Sequence, residues 1–340
     1  MRSGMIPAGS LRSLEICAGV GGLALGLETA GFHPVGLVEK DVRTCEALRL
    51  NRPGWNVVQM DANEFDPDEI PVTYDVDLLV AGLPRLRADS GSQEEADEER
   101  ALVNCAVCLV GPVRPRAVVI ENLPKLADGA DFAADREEIG KELEHLGFRL
   151  HWRVLNAKDF GVPQDREHGF LVALREDVAD DFRWPSPLGG EARTVGEALH
   201  PSMVERRWPY ADIWRDHARR PAPLLVGGSR LHGGPDLGPS RTKKIWQRLG
   251  INGKVVADAG PECPSRVDTT KWDLADKGWD LEGSEKGMPA LTLAQVALLQ
   301  GFPADWVLPQ GKTNAYAQLA QAVPPALAAA VGRQVFEALS

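Results

Sequence analysis

Residues 14–32 read LEICAGVGGLALGLETAGF. The stretch opens inside a short alternating run, Ser13–Cys17 (SLEIC), whose period of two predicts a strand, and closes on Leu23–Ala30, whose spacing predicts a helix. Between them lie Ala18, Gly19, Val20, Gly21 and Gly22. Glycine permits the tight turn and lets a ligand approach the backbone, and the start of the helix offers N–H groups with no intrahelical acceptor. The GxGxxG dinucleotide fingerprint is absent. A second strand, Val35–Val38, is followed by Glu39, where a carboxylate can bind a ribose diol. A third, Asn56–Met60, is followed by Asp61, placed to meet an adenine ring. Three strand ends carrying these groups in succession suit an adenosine-containing ligand without a pyrophosphate.

Outward from this stretch the alternation continues. Val76–Val80 and Ala117–Glu121 read as the fourth and fifth strands, with helical segments between, and Arg149–Leu155 and Phe170–Leu174 as two more. This rhythm predicts an α/β fold with a mostly parallel sheet, helices on both faces, and ligands at the carboxyl ends of the strands. After about Pro185 the texture changes: Gly, Pro and Trp become frequent, periodicity weakens, and residues 227–240 (GGSRLHGGPDLGPS) read as a loop. Helical pattern returns at Leu291–Leu299 and from Tyr316 onward. The expected organisation is a large α/β domain over 1–189 and 288–340, with a small irregular domain over 190–287.

The formal net charge of the 340 residues is -11, which argues against unspecific coating of nucleic acid. From Pro201 to Gly250, however, ten basic residues oppose four acids, so that segment carries +6 and the remainder -17. A basic segment on an acidic body suits a local phosphate-contacting surface. The five cysteines are too few and too irregularly spaced for a disulfide framework. The lone CxxC, Cys105 and Cys108, sits in a helical pattern without a second pair, so no metal site is expected. The first ten residues do not resemble a signal peptide, and the longest weakly polar run, Ala101–Val113, is too short to span a bilayer. The expectation is a soluble cytoplasmic protein with no membrane partner.

Several segments together resemble the DNA cytosine-5 methyltransferase family. LEICAGVGGLALGLETAGF resembles its first motif and AVVIENL (117–123) its Glu-Asn-Val motif. LNAKDFGVPQDREHGFLVAL (155–174) resembles its Gln-x-Arg-x-Arg motif, LTLAQVALLQGFPADW (291–306) its ninth and AYAQLAQAVPPALAAAVG (315–332) its tenth. APLLVGGSRLHGGPDLGPSRTKKIW (222–246) resembles the target-recognition part of one bacterial branch. The resemblance implies a Rossmann-like S-adenosylmethionine-dependent methyltransferase fold with a small target-recognition domain, and double-stranded DNA as partner. It places the cofactor at Cys17, Ala18, Gly19, Gly21, Gly22, Glu39, Asp61, Pro84, Gln321 and Ala322. DNA contacts fall on Arg230, Arg241, Lys243 and Lys244, and catalysis on position 85 with Glu121, Asn122, Arg166 and position 168.

The family attacks C6 of a flipped cytosine with a cysteine thiolate, a glutamate steadies N3, and C5 then takes the methyl group. The nucleophile stands in a Pro-Cys pair after the fourth strand, and here that pair is Pro84-Arg85 in AGLPRLRADSGS (81–92). A guanidinium stays protonated and has no lone pair to offer. Ser90 and Ser92 are weaker nucleophiles at a distance; Cys17 lies in the cofactor turn, Cys263 in the variable domain, and Cys105 and Cys108 on a helix expected to pack away from the pocket. His168 replaces the second arginine of its motif, and Ala290, Ala294 and Leu298 stand where the ninth motif usually has arginines. In the tenth, Ala317, Ala320 and Gln321 replace Arg, Gly and Asn, which weakens one wall of the cofactor pocket. Glu94, Glu95, Asp97, Glu98 and Glu99 put five carboxylates where the family's loop closes against DNA. Three readings follow. The first is a catalytically degenerate homologue acting as a DNA-binding subunit or as partner of a cysteine-bearing methyltransferase. The second is an enzyme with weak or partner-completed activity, and the third an S-adenosylmethionine enzyme or sensor with other chemistry.

Overall fold

In the computed structural model, which describes residues 10–86, 93–226, 235–258 and 287–340, β1 (Leu11–Ile16) is the strand around which the sheet is built. It pairs in parallel with β2 (Phe32–Glu39) on one side and with β4 (Leu78–Gly82) on the other. Both its faces are covered, so Leu14 and Ile16 are fully buried, as expected of a parallel strand with helices above and below. β3 (Val57–Gln59) extends the sheet beyond β2, and β5 (Ala117–Asn122) extends it beyond β4, again in parallel. β7 (Glu167–Arg175) then pairs antiparallel with β5, and β6 (Phe148–Asn156) antiparallel with β7. The seven-stranded order is β3-β2-β1-β4-β5-β7-β6. All seven expected strands are present, shifted at their ends by up to three residues.

Helix α1 (Gly22–Ala30) follows the glycine turn, and α2 (Val42–Asn51) begins under an Asp41 cap. Next come α3 (Gln93–Cys108), α4 (Val110–Val113), α5 (Pro124–Asp128) and α6 (Ala133–His145). The acidic run that reads as a loop lies in the opening turns of α3. At Gly26, a Cβ would stand 2.4 Å from that of Ala328 and 2.5 Å from the Pro325 carbonyl. Only glycine lets α1 approach α12 (Pro325–Leu339) so closely.

By packing, the chain divides into two compact units: residues 1–156, 167–187 and 322–340, which hold the sheet, and 157–166 with 188–321. The second unit thus takes in residues 288–321, which the sequence reading gives to the sheet domain. Its described part is also helical rather than irregular: α7 (Val195–Glu205), α8 (Ala211–His217), α9 (Ser240–Arg248), α10 (Leu293–Leu299) and α11 (Lys312–Gln321). These helices are short, and α7 contains Pro201, so periodicity alone is a weak signal for them. Caps and buried tryptophans define them instead. Thr194 and Glu197 form a reciprocal capping box on α7, and Trp214 and Trp246 are fully buried, with the Trp214 indole N–H donating to the Leu249 carbonyl at 2.7 Å. α10 joins this unit through Gln295, whose side-chain amide donates to Ser202 Oγ at 2.9 Å. Among the described residues, no helix is long and apolar enough to cross a membrane.

Candidate active site

The glycine turn forms as its composition demands. Cys17, Gly19 and Gly21 all have positive φ, and Gly21 is the left-handed N-cap of α1 with no side chain capping the helix. Asparagine, aspartate or serine there would satisfy the first free N–H groups; without such a cap, those groups remain available to a ligand. Glu39, at the end of β2, is buried. One of its carboxylate oxygens accepts the Gly19 N–H and the other the Asp41 N–H, each at 2.8 Å. It thereby fixes the turn to the β2 end. Each oxygen keeps lone-pair capacity for a further donor. Asp61 caps the turn after β3 by accepting the Asn63 N–H at 3.0 Å and pairs with Lys40 at 3.4 Å; the Asn63 N–H foremost holds its carboxyl below the usual value.

One acidic group here escaped the sequence reading, and one thiol lies elsewhere than expected. Glu15, the penultimate residue of β1, is buried, and burial, reinforced by Glu39, pushes its carboxyl well above the usual range. An acid at a strand position otherwise reserved for apolar side chains was the available signal. Cys105 does not turn away from the cofactor end. Its S–H donates to the carbonyl of Ala62, beside Asp61, at 3.1 Å. Burial, then the charges of Glu39, Cys105 and Asp61, push the partly buried Cys17 thiol up to about 12. Neither of these thiols supplies a ready thiolate, because desolvation raises the pKa of both.

At the ends of β4 and β5 the loop of Pro84, Arg85 and Leu86 is held by Asn122, which is fully buried. The Asn122 amide donates to the Pro84 carbonyl at 3.0 Å, and its oxygen accepts the Leu86 N–H at 3.1 Å and the Leu123 N–H at 2.8 Å. One side chain therefore grips the backbone on both sides of Arg85. The sequence reading assigns Asn122 to catalysis; its amide is occupied in positioning the loop. Beside it, His168 Nδ1 lies 2.6 Å from Glu121 Oε1, with both side chains withdrawn from solvent. The antiparallel pairing of β5 with β7 brings them together, Glu121 standing opposite Phe170 in the ladder. No sulfur stands in Pro84–Leu86; Ser90 and Ser92 lie outside the described residues.

In the second unit, the Arg166 guanidinium donates to the carbonyls of Ala320 at 2.7 Å and Gln321 at 3.3 Å. A cation there satisfies carbonyls that the end of α11 leaves without intrahelical donors. Arg166, read as catalytic from its motif, thus supports the chain leading into Gln321 and Ala322; the Gln321 side chain itself is exposed. On α9, Arg241, Lys244 and Arg248 are exposed at helical spacing, whereas the Lys243 ammonium is 2.7 Å from Asp236. Arg230 and Cys263 lie outside the described residues. Among the described residues no cluster of three or more His, Cys, Asp or Glu could hold a metal.

Known proteins give this arrangement a context. The chain is 39% identical over 335 residues to the type II methyltransferase M.NaeI of Lentzea aerocolonigenes, covering 97% of this chain and 76% of that protein. It is 37% identical to the type II methyltransferase M.NgoMIV of Neisseria gonorrhoeae, covering 96% of this chain and 97% of that one. Among solved structures, the Schizosaccharomyces pombe Dnmt2 methyltransferase superposes with a TM-score of 0.62 at 16% identity, covering 96% of this chain and 98% of that chain. That likeness concerns the fold. Residues 11–337 match the C-5 cytosine-specific DNA methylase family, a family that uses S-adenosylmethionine and acts on DNA, and the chain belongs to it.

Proposed function

We propose that this chain is a DNA cytosine-5 methyltransferase homologue that does not methylate on its own. In this reading it serves as a DNA-binding or regulatory partner of a cysteine-bearing methyltransferase. The observation that carries the reading is Arg85. Asn122 grips Pro84 and Leu86, so the residue between them is presented as a nucleophile would be, yet it is a guanidinium. Addition to C6 needs an electron pair, and a protonated guanidinium has none to give. Glu121 is held by His168, so the group that would steady N3 is committed to a protein partner.

The residues at the ends of β1 and β2 fit S-adenosylmethionine: an uncapped helix start, a left-handed glycine turn and a carboxylate with spare lone pairs. Gly19, Gly21, Gly22 and the backbone of Cys17 and Ala18 would border it. Glu39 would take its ribose, Asp61 its adenine, and Pro84, Gln321 and Ala322 the remaining sides. When bound, the cofactor supplies a methyl group on a sulfonium; this chain's residues bind and orient it. Target recognition is assigned to residues 190–287, with Arg241, Lys244 and Arg248 meeting phosphates.

The test is transfer of labelled methyl from S-adenosylmethionine to unmethylated DNA, with the nucleosides identified by mass and a cysteine-bearing homologue run alongside. No label is expected from this chain. Label in 5-methylcytosine would sink the proposal. DNA binding should persist and weaken steeply with salt, and reversing the charge of Arg241 and Lys244 should lower the salt slope. The same reversal at Lys243 should act on the Asp236 pair instead.

A further inference from the structure

The second unit contains a cavity of about 560 Å³ bounded by α7, the start of α10 and the chain between Ala304 and Lys312. That volume falls in the range of small-molecule sites. It exists because short side chains line it where long ones would fill it: Ala198 on α7, and Ala294 and Leu298 on α10. The latter two are positions at which the resemblance leads one to expect arginines.

Much of its polar framework is tied together by hydrogen bonds. Thr292 and Gln295 form a capping box at the start of α10, the Gln295 amide donates to Ser202 Oγ at 2.9 Å, and the Arg206 guanidinium donates to Gln295 Oε1 at 2.9 Å. These bonds fix the floor and leave a chiefly apolar wall for an occupant. The other charged groups lie at the rim. Arg193 and Lys312 stand there with Glu205 and Asp258, and Lys312 and Asp258 pair at 2.8 Å, while the Arg206 guanidinium on the floor adds a further cation. An apolar body with one negative charge meets both features, since burial of the body supplies affinity and the Arg193 and Arg206 guanidinium groups orient the head.

The geometry points to a ligand site in the second unit for a small amphipathic organic anion, separate from any methyl-transfer chemistry. A preformed wall of this kind binds without a large ordering cost, and occupancy stabilises the folded chain by mass action.

The experiment is calorimetric titration of the full chain with 1-anilinonaphthalene-8-sulfonate, an aromatic body bearing one sulfonate. One saturable site per chain is expected. Ala294→Arg and Leu298→Arg, each filling the cavity from α10, should weaken binding at least tenfold while near-ultraviolet circular dichroism stays unchanged. Ala304→Trp, at an exposed position on the rim, should weaken it similarly should either arginine variant fail to fold. Arg193→Glu should weaken binding severalfold and reduce its salt dependence, and the uncharged N-phenyl-1-naphthylamine should bind less tightly than the sulfonate. Absence of a saturable site would overturn the proposal, as would unchanged binding by folded variants that fill the cavity. Equal affinity for the uncharged analogue would overturn the preference for an anion.

Discussion

At the carboxyl ends of β1 and β2, the backbone of the glycine turn is held open by Glu39, and the first N–H groups of α1 face no capping side chain. At the ends of β4 and β5, by contrast, the functional-looking side chains are turned onto the protein itself. Asn122 binds the loop on either side of Arg85, and Glu121 binds His168. Both regions sit at the same edge of one parallel sheet, where ligands are expected. The difference teaches that one sheet edge can leave the backbone of one turn open while buried side chains fix the neighbouring loop. The turn depends on backbone geometry that few residues can supply, whereas the loop is fixed by the hydrogen bonds of one side chain, Asn122.

Variants can break or sharpen this contrast. His168→Ala should have the largest effect on stability, about 3–5 kcal/mol, because it leaves the Glu121 carboxyl buried without its partner; urea denaturation reads it. A loss under 1 kcal/mol would mean that the pair is not structural. Glu39→Ala should lower stability by about 1.5–3 kcal/mol through its two charge-assisted bonds. It should also weaken S-adenosylmethionine binding at least tenfold in calorimetry, and unchanged affinity would place the cofactor elsewhere. Asn122→Ala should destabilise by about 1–3 kcal/mol and leave that affinity intact, which separates scaffold from ligand contact.

A pH series probes the turn from another side. Burial raises Cys17 from its ordinary 9.0 to about 12 and Cys45 to about 11. Between those values and 9 the unfolded chain holds fewer protons than the folded one, so stability falls as pH rises. Their contribution is complete below pH 9 and lost progressively above it. Urea midpoints should therefore drop from pH 8 to pH 10.5, and less so in Cys17→Ala; an identical drop in that variant would refute the assignment. The smallest effect is expected of Arg85→Cys, whose methyl transfer should stay at background because His168, Ala294 and Leu298 are unchanged. Strong recovery would show the loop to be one substitution from chemistry.

Much of this contrast was legible in the sequence. Ser13–Cys17 reads as a strand from its alternation and Val76–Val80 and Ala117–Glu121 from their apolar runs, and Gly19, Glu39 and Asp61 are legible because they stand next to such strands. Arg85 is legible for the same reason, one short loop beyond β4. The partners were not. That Asn122 reaches across to Pro84 and Leu86, that Cys105 meets Ala62, and that Lys243 is held by Asp236 are contacts between residues 7 to 43 positions apart. Nothing local announces them. The helices α7–α9 were missed because they are short and are defined by caps and by the burial of Trp214 and Trp246.

The sequence by itself determined the sheet's strands, the left-handed glycine turn and the presence of a guanidinium after Pro84, since each follows from local sterics, periodicity or the chemistry of one side chain. Only the tertiary structure decided what the retained polar groups do. Strand pairing and helix packing bring Glu121 to His168, Asn122 to the Arg85 loop and Arg166 to the end of α11. A buried polar group must take whatever partner the fold places within hydrogen-bond reach.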